Sequence, residues 1–350
     1  MGVDPDKLNA TLFRMIGDVA AAASGSLIVL GERLGLFKAL AEGGPLSSDA
    51  LAGRLKLTER YVREWLNTMV AAEYVQYDRA SDTYFMTPEQ IACLADPDSP
   101  AMLTGGYYGI MSLYLDEPKV EEAFRTGKGI GWGEHHQCLF CGAEKFFGPG
   151  YKANLIDHWL PQLDGVIDKL QRGARVADVG CGHALSTRLM ARAFPNSEFV
   201  GIDYHAPSIA HATELAGNWG LSNISFKTGT SSDFDGTYDL IAFFDCLHDM
   251  GDPTAIARHV KQRLAPGGTW MVVEPAAADN VADNINPVSR AFYAFSTMVC
   301  VPVSLSQPGR MGLGAQAGAK RLSEVIGAGG FGSVRVAANS PTNFVLEARG

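Results

Sequence analysis

The segment Arg175–Ala184, RVADVGCGHA, limits the possible folds more than any other part of the chain. Val176, Ala177 and Val179 make the near-continuous apolar run of a strand covered on both faces. Gly180 and Gly182, directly after it, permit a sharp turn and a close backbone approach. A helix is expected from about Ala184, with its free N–H groups facing whatever sits over the turn. Further strands are expected at 198–203, 224–229, 238–245, 268–275, 333–339 and 342–349, alternating with helices. That alternation predicts an α/β fold with a doubly wound, largely parallel sheet. Ligands of such sheets bind beyond the carboxyl ends of the strands, so the residues after each strand are the ones to read.

The turn at 180–182 excludes one ligand class. A dinucleotide fingerprint needs a third glycine three residues after the second, and that position is Leu185. With no second mononucleotide fingerprint, a nicotinamide oxidoreductase is disfavoured. The chain reads Asp178-x-Gly180-x-Gly182-x-Ala184, and about twenty residues beyond the turn the next strand, Ser197–Asp203, ends in an acid. A βαβ unit places a ribose-binding carboxylate there; capping of the helix near Pro207-Ser208 is the other role open to Asp203. The pattern resembles motif I and the following acid of class I S-adenosylmethionine (SAM) methyltransferases, departing from it mildly at Ala184, where many members carry glycine.

This resemblance implies a Rossmann-like seven-stranded methyltransferase sheet with helices on both faces and an antiparallel final strand at Thr342–Arg349. It implies SAM as cofactor, held by Asp178, Gly180, Gly182, Asp203 and Tyr204. Gly229, Thr230 and Ser231 stand where the family often has an acid for the adenine amino group. Asp245 faces the methionine end or caps a helix. The segment Phe244–Pro253 resembles the Leu-His-Asp-x-x-Asp stretch of plant-type small-molecule O-methyltransferases and implies His248 as general base. An imidazole of near-neutral pKa is suited to take the proton of a hydroxyl acceptor. The alternative for His248 is structural, orienting Asp249 or a loop backbone.

Residues 1–95 read as three helices and a two-stranded wing, a winged helix. They hold nine Lys and Arg against twelve Asp and Glu, and Glu59, Arg60, Arg63 and Glu64 alternate on the would-be recognition helix. That is a poor footprint for a phosphate backbone. The net charge of −9 over 350 residues speaks in the same direction. The module resembles the winged-helix dimerisation domains of small-molecule O-methyltransferases, which implies a homodimer and no nucleic-acid partner.

Asp96–Pro100 marks a boundary. Residues 96–170 form a helical linker and pocket-covering segment, and 171–350 the SAM-binding domain. Trp132, His136, Phe147 and Tyr151, with Tyr293 and Met298 from the lid-like insertion Ala276–Gly318, are substrate-pocket candidates; core or dimer packing is their other role. Cys138 and Cys141 lack a second ligand pair at zinc spacing, so no metal is expected. The six cysteines are scattered and no secretory leader pattern opens the chain, so the expected location is a reducing cytoplasm. The apolar run Val19–Gly31 is too short for a bilayer and is expected to be a packed helix, with no membrane contact. The leading reading is transfer of a methyl group from SAM to a small, largely apolar molecule, with a hydroxyl as one acceptor. The alternative is a SAM-binding winged-helix regulator without turnover.

Overall fold

A computed structural model describes residues 2–350, which form two compact units. The first comprises the residues up to Met111 together with Cys141–Pro149. Its helices Pro5–Arg33, Leu36–Gly43, Ser48–Leu55 and Glu59–Ala71 precede an antiparallel hairpin of β1 (Gln76–Asp78) and β2 (Thr83–Phe85), followed by helix Pro88–Leu94. Ile28, Phe37, Leu40, Leu51, Leu66 and Met69 fill the core between them. Trp65 closes it: its indole N–H donates to Leu27 O at 2.8 Å, and a Cβ at Gly31 would stand 2.5 Å from its ring. The helical periodicity over Leu27–Leu40 divides at Gly35, whose φ of 72° starts a second helix in place of one continuous rod.

The expectation of a packed helix over Val19–Gly31 holds for the second half of that run and not for its start or for the turns before it. Only Gly25, Ile28, Val29 and Gly31 of the first helix's 29 residues are buried, whereas Phe13, Ile16 and Val19 are 75%, 61% and 68% exposed. It packs through its C-terminal third only. As a whole it is long and apolar enough to cross a membrane by length and composition, and so is the stretch Pro287–Ser306.

The second unit, residues 112–140 and 150–350, is built on a seven-stranded sheet. Its strands are β3 (Arg175–Val179), β4 (Glu198–Asp203), β5 (Ile224–Thr228), β6 (Tyr238–Phe244), β7 (Leu264–Pro275), β8 (Ser333–Asn339) and β9 (Asn343–Arg349). All seven predicted strands are present; β7 starts at Leu264, earlier than the apolar run alone indicates. The spatial order is β5-β4-β3-β6-β7-β9-β8, parallel except that β9 runs antiparallel to both β7 and β8. Ala177, Ile241, Phe243, Trp270, Val272 and Leu346 are fully buried at its centre. The chain leaves β3 toward β4 on one side and returns to β6 on the other, so a crevice opens between the ends of β3 and β6. The insertion after β7 is helical from Pro287 to Ser306, with a π-helical turn at Ser296–Cys300.

Candidate functional site

The turn after β3 is shaped by three left-handed residues, Gly180 (φ 76°), Gly182 (φ 53°) and Ala184 (φ 59°). Two of the three glycines of a fuller motif are present, and Ala184 bears the strain at the third place. The glycines serve different ends. A Cβ at Gly180 would meet Cys246 Sγ at 2.7 Å, whereas one at Gly182 would have nothing within 4 Å. The first is needed for packing beneath the turn, and the second lies under open space.

Asp203, at the end of β4, accepts the Gly182 N–H on Oδ2 at 2.9 Å and the His205 N–H on Oδ1 at 2.8 Å. Burial raises its pKa against these two bonds. Each oxygen of an ionised carboxylate retains further acceptor capacity. The helix that follows, Ala206–Asn218, takes no side-chain cap from His205, so the Asp203–His205 bond also steadies its entry. Tyr204 stands half exposed beside them, with burial holding its phenol up at about 12.

Asp178 is fully buried in β3. Its Oδ2 accepts the hydroxyls of Ser186 (2.7 Å) and Thr187 (2.6 Å), tying the turn to the helix Leu185–Ala193. Its Oδ1 is buried with no hydrogen-bond partner among the described residues. Burial pushes the carboxyl up to about 6, despite the two hydroxyls.

After β5, Gly229 N–H returns to Asp203 O at 3.0 Å. The Thr230 N–H (3.1 Å) and hydroxyl (2.5 Å) both go to Asp233 Oδ1, so this side chain is engaged within its own loop. Ser231 follows in the same loop, half-buried.

Asp245, directly after β6, has a left-handed φ of 50°. It accepts the Tyr151 hydroxyl on Oδ2 at 2.5 Å and Asn343 Nδ2 on Oδ1 at 2.7 Å. Burial drives its pKa up to about 8, outweighing both donors. Tyr151 thus meets the crevice as a partner of Asp245. In the next turn His248, 3% exposed, sits between two carboxylates: Nδ1 faces Glu274 Oε2, and Nε2 lies 3.1 Å from Asp249 Oδ1. Glu274, at the end of β7 and 1% exposed, also accepts the Leu247 N–H at 3.0 Å on its other oxygen. Burial opposes charge on the ring, but Glu274 and Asp249 outweigh it and hold the His248 pKa well above its ordinary value.

Among the pocket candidates, Trp132 and Met298 share one apolar cluster with Leu139, Phe140, Val299 and Val303. Phe140 in turn stacks on His205, with ring centroids 5.0 Å apart, which joins this cluster to the Asp203 loop. His136 Nδ1 accepts the Cys138 N–H at 3.2 Å, a local contact at a helix start. Tyr293 OH accepts from Asn284 at 3.4 Å. Phe147 lies in the first unit, against Phe146. Cys138 and Cys141 are free thiols. The sequence reading missed Glu274, Asn343 and Cys300. An acid closing the apolar run Val272-Val273-Glu274 was a legible signal for the first; Asn343 gave none, because only the antiparallel pairing of β9 brings it under Asp245.

Residues 170–311 match the family described as a methyltransferase domain, and residues 22–96 the Rv2258c-like winged HTH domain. The chain carries a methyltransferase domain behind a winged-helix domain. The methyltransferase domain is 30% identical over 112 residues to a trans-aconitate 2-methyltransferase of Deinococcus radiodurans, covering 32% of this chain and 42% of that protein. It is 33% identical over 112 residues to a ubiquinone biosynthesis O-methyltransferase of Xanthomonas oryzae pv. oryzae, covering 31% and 46%. The matches span less than half the length of these curated relatives. The chain is similar in fold to human N-acetylserotonin methyltransferase, solved in complex with SAM (TM-score 0.69, 18% identity, covering 100% of this chain and 99% of that one).

The residues of the methyltransferase domain fit such a cofactor. The part-buried Asp203 carboxylate with acceptor capacity to spare suits a ribose diol, the open space over Gly182 admits a ligand against backbone, and the orphaned Asp178 Oδ1 leaves negative potential for a cationic group. No phosphate-seating third glycine is present.

Proposed function

We propose that this protein transfers a methyl group from SAM to a small, largely apolar acceptor. The observation that carries the reading is the meeting of the 180–182 turn, Asp203 and Asp245 at the strand-order reversal between β3 and β6. When bound, SAM supplies an electrophilic methyl group on a sulfonium. Asp203 holds the ribose, Tyr204 and the Gly229–Ser231 loop flank the adenine, Asp178 sets negative potential toward the methionine end, and Asp245, kept neutral below about 8 by burial, adjoins that end as a hydrogen-bonding group. The apolar cluster around Trp132 and Met298 faces the acceptor and excludes water, so catalysis is chiefly alignment.

His248 serves a hydroxyl acceptor as base in its deprotonated form. Because Glu274 and Asp249 hold its proton, turnover on such an acceptor rises with pH above 6.5, through the raised pKa. A flat profile over that range refutes the base role and leaves His248 as a positioning residue.

The exposed apolar stripe Phe13, Ile16 and Val19 supports dimerisation through the N-terminal helix, in preference to a membrane partner. The winged helix is not read as a DNA-binding element, since Arg60 and Arg63 are already paired with Glu64 and Glu59 on their own helix. A gel shift at low salt tests this. Six free thiols support a reducing cytoplasm, checked by cell fractionation. The transfer reaction itself is tested by methyl-labelled SAM with metabolite extracts: label appearing in a small molecule supports it, and SAH binding without any transfer returns the alternative of a SAM-sensing regulator.

A further inference from the structure

The segment 129–136 spans the acceptor end of the second unit. Ile130 N–H donates to Pro302 O at 3.0 Å, the Trp132 main chain meets the Tyr204 hydroxyl, and a Cβ at Gly133 would stand 3.4 Å from the His205 ring. The segment thus runs from the helical insertion to the loop after β4, carrying Trp132 of the apolar cluster with it. Within it His135 is 5% exposed. Its Nδ1 lies 3.1 Å from Asp116 Oδ2, and its Nε2 is buried with no hydrogen-bond partner among the described residues. We propose that His135 determines specificity in the acceptor pocket: its Nε2 accepts a hydrogen bond from a second O–H or N–H group of the methyl acceptor, separate from the group that is methylated.

The support behind this ring is built for the task. Asp116, 2% exposed on the helix Thr104–Thr126, takes Lys119 Nζ on Oδ1 at 2.8 Å, and on Oδ2 the His136 N–H at 2.8 Å together with the His135 ring. Lys119 also donates to Glu134 O at 2.6 Å, and the Glu134 carboxylate closes back on the Gly131 N–H at 2.6 Å, which fixes the segment on the helix. Burial opposes charge on Asp116, but Lys119, His136 and His135 outweigh it and keep its pKa below the ordinary value. An ionised carboxylate only accepts, so the proton of a neutral His135 sits on Nδ1 and the lone pair on Nε2. Burial lowers the His135 pKa, and Asp116 and Asp249 offset this only in part. The ring is therefore neutral at pH 7, and Nε2 can only accept.

The position of the ring favours recognition over packing. Asp249, 3.1 Å from His248 Nε2, acts on the His135 ring as well, so both imidazoles belong to one end of the pocket. His248 is held by Glu274, Asp249 and Cys300, whereas His135 keeps one nitrogen unspent. A buried acceptor left without a donor is costly. Binding pockets set a few such polar atoms in apolar walls to orient a ligand, and here Trp132, Phe140 and Met298 supply the wall. An ether or carbonyl would oppose lone pair to lone pair, so the matching group carries a proton. Of the adjacent histidines the sequence reading takes His136 as the pocket candidate, but His136 spends its Nδ1 on the Cys138 N–H. The inference rests on the methyl-transfer reading for the place of the acceptor; the tautomer and the preference for a second donor are measured without transfer.

Full-length protein carrying nitrogen-15-labelled histidine is titrated with phenol, catechol, resorcinol and hydroquinone, with and without saturating SAH, and followed by NMR. At pH 7 the His135 signals are expected to report a neutral ring with its proton on Nδ1. At least one diol is expected to move the Nε2 signal and to bind about 3–10-fold tighter than phenol, as one added hydrogen bond gives. His135→Phe loses this preference and keeps SAH affinity. Asp116→Asn, whose amide can donate to Nδ1, mixes the tautomers and weakens the preference. A proton on Nε2 at pH 7, an Nε2 signal unmoved by every diol, or a preference that survives in His135→Phe overturns the proposal. If His135→Phe fails to fold, the wild-type Nε2 signal decides alone. SAH binding without a diol preference refutes the recognition role alone; a diol preference without SAH binding refutes the methyl-transfer reading alone.

Discussion

Replacing Glu274 by Gln isolates the charge that holds His248. The amide retains an acceptor for the Leu247 N–H, now at 3.0 Å, and fits nearly the same volume in a position 1% exposed, so packing is little changed. What disappears is the negative partner of His248 Nδ1. Stranding one member of a buried ion pair costs about 3–5 kcal/mol. Asp249 remains as a second counter-charge, and the ring escapes part of the penalty by losing its proton, so about 2–3 kcal/mol is expected at pH 6. The sign follows from linkage. His248 has a raised pKa in the folded state, so its stabilisation is fully present below 6.5 and is lost as pH rises through the raised value. The gap between wild type and variant is therefore largest at pH 6 and closes at alkaline pH. Urea unfolding at both pH values measures it, with the midpoint at pH 6 lowered by about 1 M. A gap that is absent at pH 6, or that widens with pH, refutes the buried-cation account of His248.

The two glycines of the turn separate by mechanism. Gly180→Ala places a Cβ at 2.7 Å from Cys246 Sγ as well as in a left-handed conformation, and loses about 3 kcal/mol or more by thermal unfolding; Gly182→Ala bears only the strain, about 1–2 kcal/mol, yet loses SAH affinity. Asp245, raised to about 8, contributes stability that is fully present below the ordinary carboxyl range and is lost as pH rises through 8; Asp245→Asn therefore flattens the decline in melting temperature between pH 6 and 9, and an undiminished decline counts against burial as its cause. The proposed dimerisation through the N-terminal helix predicts a dimer for the wild type in sedimentation velocity and a monomer for Phe13→Asp with Ile16→Asp, with the circular dichroism of the fold unchanged. A dimer that survives this pair of charges places the interface elsewhere.

What was legible in the sequence, and what was not, divides along physical lines. Strands buried on both faces write themselves as apolar runs, so β3, β4, β6 and β7 were visible as Val176–Val179, Phe199–Ile202, Leu240–Phe244 and Trp270–Val273. The acids at their ends, Asp203 and Asp245, stood out because a charge just after such a run faces the crevice. The roles of these acids were less visible. Asp178 is taken up by Ser186 and Thr187, eight and nine positions on at the start of the next helix, contacts that depend on side-chain direction. Thr230 is engaged by Asp233, a loop bond that no periodicity reports. The N-terminal helix was legible only in part: Ile28 and Val29 are buried as expected, whereas Val19 is exposed, because apolar content signals burial only when a partner surface exists within the chain. Glu274, Asn343 and Cys300 come from 29, 98 and 55 positions beyond Asp245 and enter the site through sheet order and a π-turn. Such long-range meetings leave no mark in local spacing.

The central claim is that the crevice between β3 and β6 holds SAM through Asp203. Calorimetric titration with SAH, on wild type and Asp203→Asn, tests it most directly. The substitution preserves shape and one acceptor while removing charge from the group that takes the Gly182 and His205 amides. One site per chain is expected in the wild type, with affinity about 10–100-fold lower in Asp203→Asn, as fits the loss of a charged hydrogen bond of about 1.5–3 kcal/mol. Absence of SAH binding to the wild type, or equal affinity in the variant, contradicts the account.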